Sequence, residues 1–198
     1  MNVPTIKEKL KASYPKLKET YGYTNVMQAP KIEKVLVSVG TGKMARADKK
    51  RQEFVVSRLA IVTGQKPSAR PAKKSIASFK LREGEVIGQL VTLRGARMMG
   101  FLDKFINIAI PRTKAFRGFS EKSIDAMGHF TYGVKEHTVF PETADEDLRD
   151  VFGMAITIVT TSKGKKETKD LLEMLGFPFR AAAEEATKRG RARKTKGK

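Results

Sequence analysis

Valine takes every second position from Val35 to Val39 in the run VLVSVG, and a similar β-branched run returns in AITIVTT, Ala155 to Thr161. A period of two sends alternate side chains to opposite faces of a strand, so one face must enter a core and the other must not. A chain written this way needs a sheet, and the apolar side of that sheet needs a cover. The cover is written at helical spacing. Met98, Met99, Leu102, Phe105, Ile106 and Ala109 form a broad apolar side over Ala96–Ile110, which Pro111 is expected to end. Val55, Leu59 and Val62 mark a second helix over Lys49–Thr63, with Gly64 as its stop. Ile6, Leu10, Tyr14, Leu17 and Tyr21 make a third stripe, where Pro15 predicts a kink or two short helices. A last helix covers Lys166–Leu175, closed by Gly176 and Pro178.

Further strands are expected over Val86–Arg94 and, once or twice, within Ser123–Phe140. In the first of these Ile87, Val91 and Leu93 share one face, while Leu90, Thr92 and Arg94 share the other. Strands and helices do not alternate strictly, which argues for an α+β fold: a mostly antiparallel sheet with helices packed on one face, plus long basic loops and a basic C-terminal tail. Residues 1–180 read as one domain. Residues 181–198 read as a basic extension, expected either to stay flexible or to be ordered along RNA.

Charge narrows the function. Forty Lys and Arg stand against 21 Asp and Glu, a formal +19 at pH 7. A surplus of that size repels itself in the folded state and points to a polyanionic partner. The final stretch Lys188–Lys198 alone carries seven cations in eleven residues. No apolar run is long enough to span a bilayer, and no membrane partner is expected. Cysteine is absent, which removes disulfides, thiolate metal sites and cysteine nucleophiles, and fits a reduced, intracellular compartment.

Catalytic patterns fail one by one. The two histidines, His129 and His137, lack a second ligand at metal spacing, so no cofactor is expected. Asp145, Glu146 and Asp147 lack the glycine punctuation of a calcium loop and read as a solvated turn. The GTGK run, Gly40 to Lys43, has Val37 where a phosphate-binding loop needs glycine and Met44 where it needs Ser or Thr. An enzyme is therefore not expected. An RNA-processing enzyme and a non-specific RNA chaperone stand as the alternatives to a dedicated RNA-binding component.

The segment KKSIASFKLREG, Lys73 to Gly84, is the densest local signal. Lys73, Lys74, Lys80 and Arg82 suit phosphates, Ser75 and Ser78 suit phosphate or ribose, and Phe79 suits an unpaired base. In the other reading, Ile76 and Phe79 anchor the loop to the core while the lysines face water.

The run GQKPSARPAKKSIASFKLREGEVIGQLVTLRG, Gly64 to Gly95, closely resembles the bacterial large-subunit ribosomal protein five family. The resemblance continues through FLDKFINIAIPRTKAFRGFS, GVKEHTVFPE, ITIVTTSK and LLEMLGFPF, and takes in YGYTNVMQAPKIEKVLVSVGTG upstream. It implies a non-enzymatic constituent of the large ribosomal subunit, in the central protuberance, bound to 5S rRNA and in contact with large-subunit rRNA and neighbouring central-protuberance proteins. A cytoplasmic and an organellar ribosome both stay open. The family's 5S-contacting residues fall here on Ser38, Gln65, Thr92 and Arg94. Ser38 departs from the Asn usual in the family. The Lys73–Gly84 hairpin corresponds to the loop that reaches the elbow of the peptidyl-site tRNA. The loop holding Arg112, Thr113, Lys114 and Arg117 corresponds to the bridge toward small-subunit protein thirteen. The family usually stops soon after FPFR, so the tail beyond Arg180 is a departure.

Overall fold

In the computed structural model the described residues are 4–42, 49–114, 116–144 and 151–180. They cluster into two compact units: a sheet unit, residues 32–113 and 131–160, and a terminal unit drawn from residues 1–31, 114–130 and 161–198. The acidic triplet Asp145, Glu146 and Asp147, the residues Lys43 and Met44, and the tail 181–198 lie outside the described residues.

The sheet has five strands: β1 (Ile32–Gly40), β2 (Ser68–Pro71), β3 (Val86–Leu93), β4 (Phe130–Val134) and β5 (Met154–Thr160). Their spatial order is β2-β3-β1-β5-β4. β1 runs antiparallel to both β3 and β5, and β2 runs antiparallel to β3. Register explains which residues enter the core. Val35 faces Leu93 and Ile158, Val37 faces Val91 and Ile156, and Val39 faces Gln89. All of these are buried, the valines almost completely. Each such aliphatic side chain contributes about 1.5–3 kcal/mol by leaving water, so this face holds the sheet unit together. Gln89 is the exception within it, a polar residue in a position the alternation reserves for the core.

The cover is α2 (Lys49–Thr63), which contacts β3, and α3 (Gly95–Lys104), which contacts β1. Val55, Leu59, Val62, Met98, Phe101 and Leu102 are buried. Lys104 joins the two helices to the following loop: its ammonium donates to the Val62 carbonyl at 2.7 Å and to Glu142 Oε1 at 2.6 Å. Phe101 stacks on Phe140 at 5.9 Å, and the fully buried His137 stacks on Phe152 at 4.1 Å. His137 Nδ1 accepts from the Phe152 N–H, so this ring is a structural element of the core.

Two prolines lie inside helical stretches. Pro111 does not end the α3 region: a π-helical stretch, Phe105–Ala109, follows α3 and leads into a final turn, Ile110–Arg112. The Ile110 N–H reaches the Phe105 carbonyl, five residues back. That wider turn relieves the carbonyl a proline ring would strike in a regular helix. Pro15, likewise, does not divide the first helix. In the terminal unit, α1 runs unbroken over Ile6–Tyr21, with a capping box between Thr5 and Glu8 and a left-handed Gly22 closing it. The lost hydrogen bond and ring clash cost about 3 kcal/mol. Burial of Ile6 and Leu17 on either side offsets it, at about 1.5–3 kcal/mol each.

The terminal unit is otherwise built around α4 (Lys165–Leu175), which packs on α1, and an aromatic cluster. Phe119 lies 5.1 Å from Phe130, 5.7 Å from Phe177 and 6.0 Å from Phe179, ring centre to ring centre. Gly128, at φ 81°, belongs to a tight polar knot: the Thr168 hydroxyl donates to its carbonyl at 2.8 Å and is itself bonded to Ser162. A β-carbon there would collide with both hydroxyls.

Candidate nucleic-acid interface

The second face of the sheet is the mirror of the first. Register places Leu36 beside Thr92 and Thr157, Ser38 beside Leu90 and Ala155, and Gly40 beside Gly88. β2 extends the row, with Ser68 opposite Leu90 and Arg70 opposite Gly88. Thr131 of β4 joins through its hydroxyl, 3.0 Å from that of Thr157. Ser38, Leu90, Thr92 and Thr157 are half-exposed, whereas Ser68, Arg70 and Thr131 are exposed. The face is therefore a shallow sheet of hydroxyls, small residues and leucines with cations on it and no carboxylate among these residues.

Three of the four residues assigned to 5S contact by resemblance fall on or beside this face. Ser38 and Thr92 are diagonal neighbours across the β1–β3 pair, which puts them roughly 7–8 Å apart. Arg94 continues the same side of β3 as Thr92; it is exposed and extended at φ −139°, the N-terminal cap of α3. The turn after it is left-handed at Gly95, φ 60°, so α3 departs abruptly and leaves Arg94 uncovered. Gln65 sits in the turn after α2, just past the left-handed Gly64. Its carbonyl accepts from Thr63 Oγ1 at 3.1 Å, which fixes the backbone. Because β2 runs antiparallel to β3 from Ser68 onward, the chain before Ser68 lies alongside the Thr92–Arg94 end.

What unites the four is that their side-chain polar atoms have no partner among the described residues. The Ser38 and Thr92 hydroxyls, the Gln65 amide and the Arg94 guanidinium are open to a ligand. Arg70 and Ser68 share the face and were not found from sequence. SARP carries no apolar alternation, so nothing in it announced a strand.

The basic hairpin is a separate projection of the sheet unit. Its stem closes where the Ala72 N–H meets the Glu85 carbonyl at 2.8 Å, and its end where Ile76 and Leu81 exchange bonds of 3.0 and 3.1 Å. Lys80 lies at φ 49°, the one non-glycine in the left-handed region among the described residues. Ser75 Oγ accepts from the Glu83 N–H at 2.9 Å, so that hydroxyl shapes the loop. Lys73, Lys74, Ser78 and Lys80 are exposed, and so is Arg82. Phe79 keeps 65% of its surface exposed and Ile76 keeps 43%, so neither anchors the loop in a core. Of the loop residues likened to the intersubunit bridge, Arg112 and Thr113 end the long helical region of the sheet unit. Lys114 and Arg117 belong to the terminal unit, and the Arg117 carbonyl accepts from Arg180. Arg112, Lys114 and Arg117 are exposed.

Among the described residues no group of three or more metal-ligating side chains exists, and no helix is long and apolar enough to cross a membrane. A sheet covered by helices on one side, with polar, partly exposed residues and arginines on the other, has the character of a surface for a polyanion. Comparison with known proteins makes this specific. Residues 25–82 match the family described as ribosomal protein L5, and residues 86–179 match the C-terminal region of the same ribosomal family. Curated relatives named large ribosomal subunit protein uL5 include that of Natranaerobius thermophilus, 50% identical over 83% of this chain and 92% of the relative. Those of Thermoanaerobacter sp. and Desulforamulus reducens are 48% and 47% identical, over 83% of this chain and 92% and 91% of theirs. The chain belongs to the ribosomal protein L5 family: it is a structural, non-catalytic constituent of the large ribosomal subunit, located in the cytoplasmic ribosome.

Proposed function

We propose that this subunit constituent binds 5S rRNA through the bare face of the sheet, with Ser38, Gln65, Thr92 and Arg94 as its polar contacts. The observation that carries the proposal is that Ser38, Thr92 and Arg94 share one side of the sheet, with Gln65 in the turn beside its Thr92–Arg94 end, and that the polar side-chain atoms of all four have no partner among the described residues. The mechanism is surface complementarity. Hydroxyls and the amide exchange hydrogen bonds with ribose and base edges, and Arg94 presents its planar fork to a phosphate or a guanine edge. Leu36, Leu90 and the small residues between them let the backbone of an irregular RNA approach closely. In the same reading the Lys73–Gly84 hairpin meets the peptidyl-site tRNA elbow. Its cations pair with phosphates and Phe79 packs on the RNA, which accords with the exposure of that ring. The segment with Arg112, Thr113, Lys114 and Arg117 faces small-subunit protein thirteen, and residues 181–198 add charge along large-subunit rRNA.

The test is a salt titration of binding to 5S rRNA beside a tRNA. The 5S rRNA is expected to bind at least about tenfold tighter, with Arg94→Ala removing most of that margin. Deleting residues 181–198 should flatten the salt dependence for both RNAs. Equal binding of the two RNAs at every salt would instead make the protein a charge-driven, non-specific RNA binder.

A further inference from the structure

We infer that the terminal unit carries a docking groove for an acidic, amphipathic segment of another protein, distinct from the RNA-binding face proposed above. The groove, of about 270 Å³, lies between α1 and the single 3₁₀ turn Val26–Gln28. Its lining is Leu10, Leu17, Val26, Ala29 and Pro30, with Tyr14 at the side and Lys11 and Lys31 at the rim. That volume is below the range of sites for cofactors or drug-sized ligands, and suits one or two inserted side chains.

Three features argue for a protein segment bearing carboxylates. The apolar stripe of α1 is wider than its own unit covers: Ile6 and Leu17 are buried, but Leu10 and Tyr14 on one flank stay half-exposed. Beyond them Val26 is 55% exposed and Met27 76%, a patch that aliphatic side chains would cover and RNA would not. The polar groups at the edge are donors. Lys11 and Lys31 form no ion pair and Tyr14 makes no hydrogen bond among the described residues; the Lys31 ammonium donates to the Met27 sulfur at 3.1 Å, a weak acceptor that a carboxylate would outcompete. The groove lining contains no carboxylate. At 100° per residue the acids of α1, Glu8 and Glu19, fall on the far side of the helix from Leu10 and Tyr14, and Glu8 is held by Thr5.

The walls are preformed, which lowers the cost of binding. The Asn25 carboxamide caps the 3₁₀ turn, accepting from the Met27 N–H at 3.1 Å. Gln28 Oε1 accepts from the Thr24 N–H at 3.1 Å and from its hydroxyl. Lys31 is tied to Thr161 by its own N–H and by its carbonyl. An amphipathic helix laying leucines into the groove, with glutamates toward Lys11, Lys31 and the Tyr14 hydroxyl, gives Lys11 and Tyr14 partners and offers Lys31 a carboxylate in place of the Met27 sulfur.

The probe is a fluorescent synthetic peptide with leucines at i, i+3, i+4 and i+7 and glutamates on its other faces, titrated by anisotropy into the full chain. Its control has the same composition with the leucines scattered around the helix. The patterned peptide is expected to bind about tenfold tighter than the control. Val26→Asp should abolish that preference, and Lys11→Glu with Lys31→Glu should weaken the patterned peptide about tenfold while leaving the apolar floor intact. All three positions are exposed, so an unchanged melting curve checks that the fold survives. Equal affinity for the two peptides overturns the inference, as does indifference to both sets of substitutions. Displacement of the patterned peptide by an RNA hairpin whose own binding falls with Lys11→Glu and Lys31→Glu also overturns it, and makes the groove an RNA contact. Binding of 5S rRNA by the same variants separates this result from the fate of the sheet face.

Discussion

The two units handle polar groups in opposite ways. In the terminal unit, away from the α1 groove, they face each other. Tyr21 donates to Asp170 at 2.6 Å, Tyr23 to Glu167, and Lys169 to Glu121, while Ser162, Thr168 and the Gly128 carbonyl close a buried knot. Glu167 also accepts from the Lys163 N–H at 2.6 Å. In the sheet unit the apolar face carries most of the packing, and the Ser38 and Thr92 hydroxyls, the Gln65 amide and the Arg94 guanidinium have no partner among the described residues. Polar groups already bonded to each other brace a fold, whereas unpartnered ones are what a ligand can read.

That contrast can be broken at several strengths. The largest effect is expected from Phe119→Ala, which empties the centre of the aromatic cluster and should cost about 3–5 kcal/mol in denaturant unfolding. RNA selectivity of the folded protein should be unchanged; a loss of selectivity at matched folded fraction would erase the division of labour. Thr92→Val is the converse. It keeps the shape of a β-branched strand residue and removes one open hydroxyl, so RNA affinity should fall by about 1 kcal/mol with stability within about 0.5 kcal/mol. Ser38→Asn restores the longer side chain suggested by the family resemblance. It should tighten 5S rRNA binding a few-fold in the same titration, and a weakening would mean that serine is matched to its RNA.

The smallest effect is a pH dependence. Burial and the hydrogen bond to Asp170 raise the Tyr21 hydroxyl from its ordinary 10.0 to about 12, and burial with the hydrogen bond to Glu167 raises Tyr23. The unfolded chain therefore releases these protons first as pH rises. The Tyr21 contribution is complete below pH 10 and declines between 10 and about 12. Tyr21→Phe should blunt the fall in melting temperature across that window while leaving neutral-pH RNA binding alone. A wild-type melting temperature that stays level across the same window would show that the pair does not stabilise the fold.

Much of the sheet unit was legible because its signals are local. The valine alternation placed both faces of β1, and α2 ends where Gly64 puts it. The faces of β3 followed from the same period, which is why Thr92 and Arg94 could be set apart from the core. β2 was hidden because backbone bonds to β3 hold it, not side chains; all four of its residues are exposed and one is proline. The proline rule misled at Pro111, where a π-helical turn outweighed local preference, and at Pro15 the alternative of two short helices gave way to one continuous helix. The terminal unit was least legible. Phe119 and Phe179 meet through a parallel bridge between segments far apart in sequence, neither of which carries a period of its own.

The order of strands bears on synthesis. Ser38, Gln65, Thr92 and Arg94 all lie before Gly95, and β3 pairs with both β1 and β2 without any later segment. The terminal unit needs residues 4–31, 114–130 and 161–180, and cannot close until the last of these segments has been made. Chains generally fold from the N-terminus as they emerge. The surface proposed to meet RNA is thus ready first, and its vacant β1 edge waits for β5 as the last strand to arrive. A nascent chain arrested just before β5 would carry that surface with an open edge beside it, a state prone to pair with other strands. Early encounter with RNA would shorten the life of that state, coupling the making of this protein to its assembly.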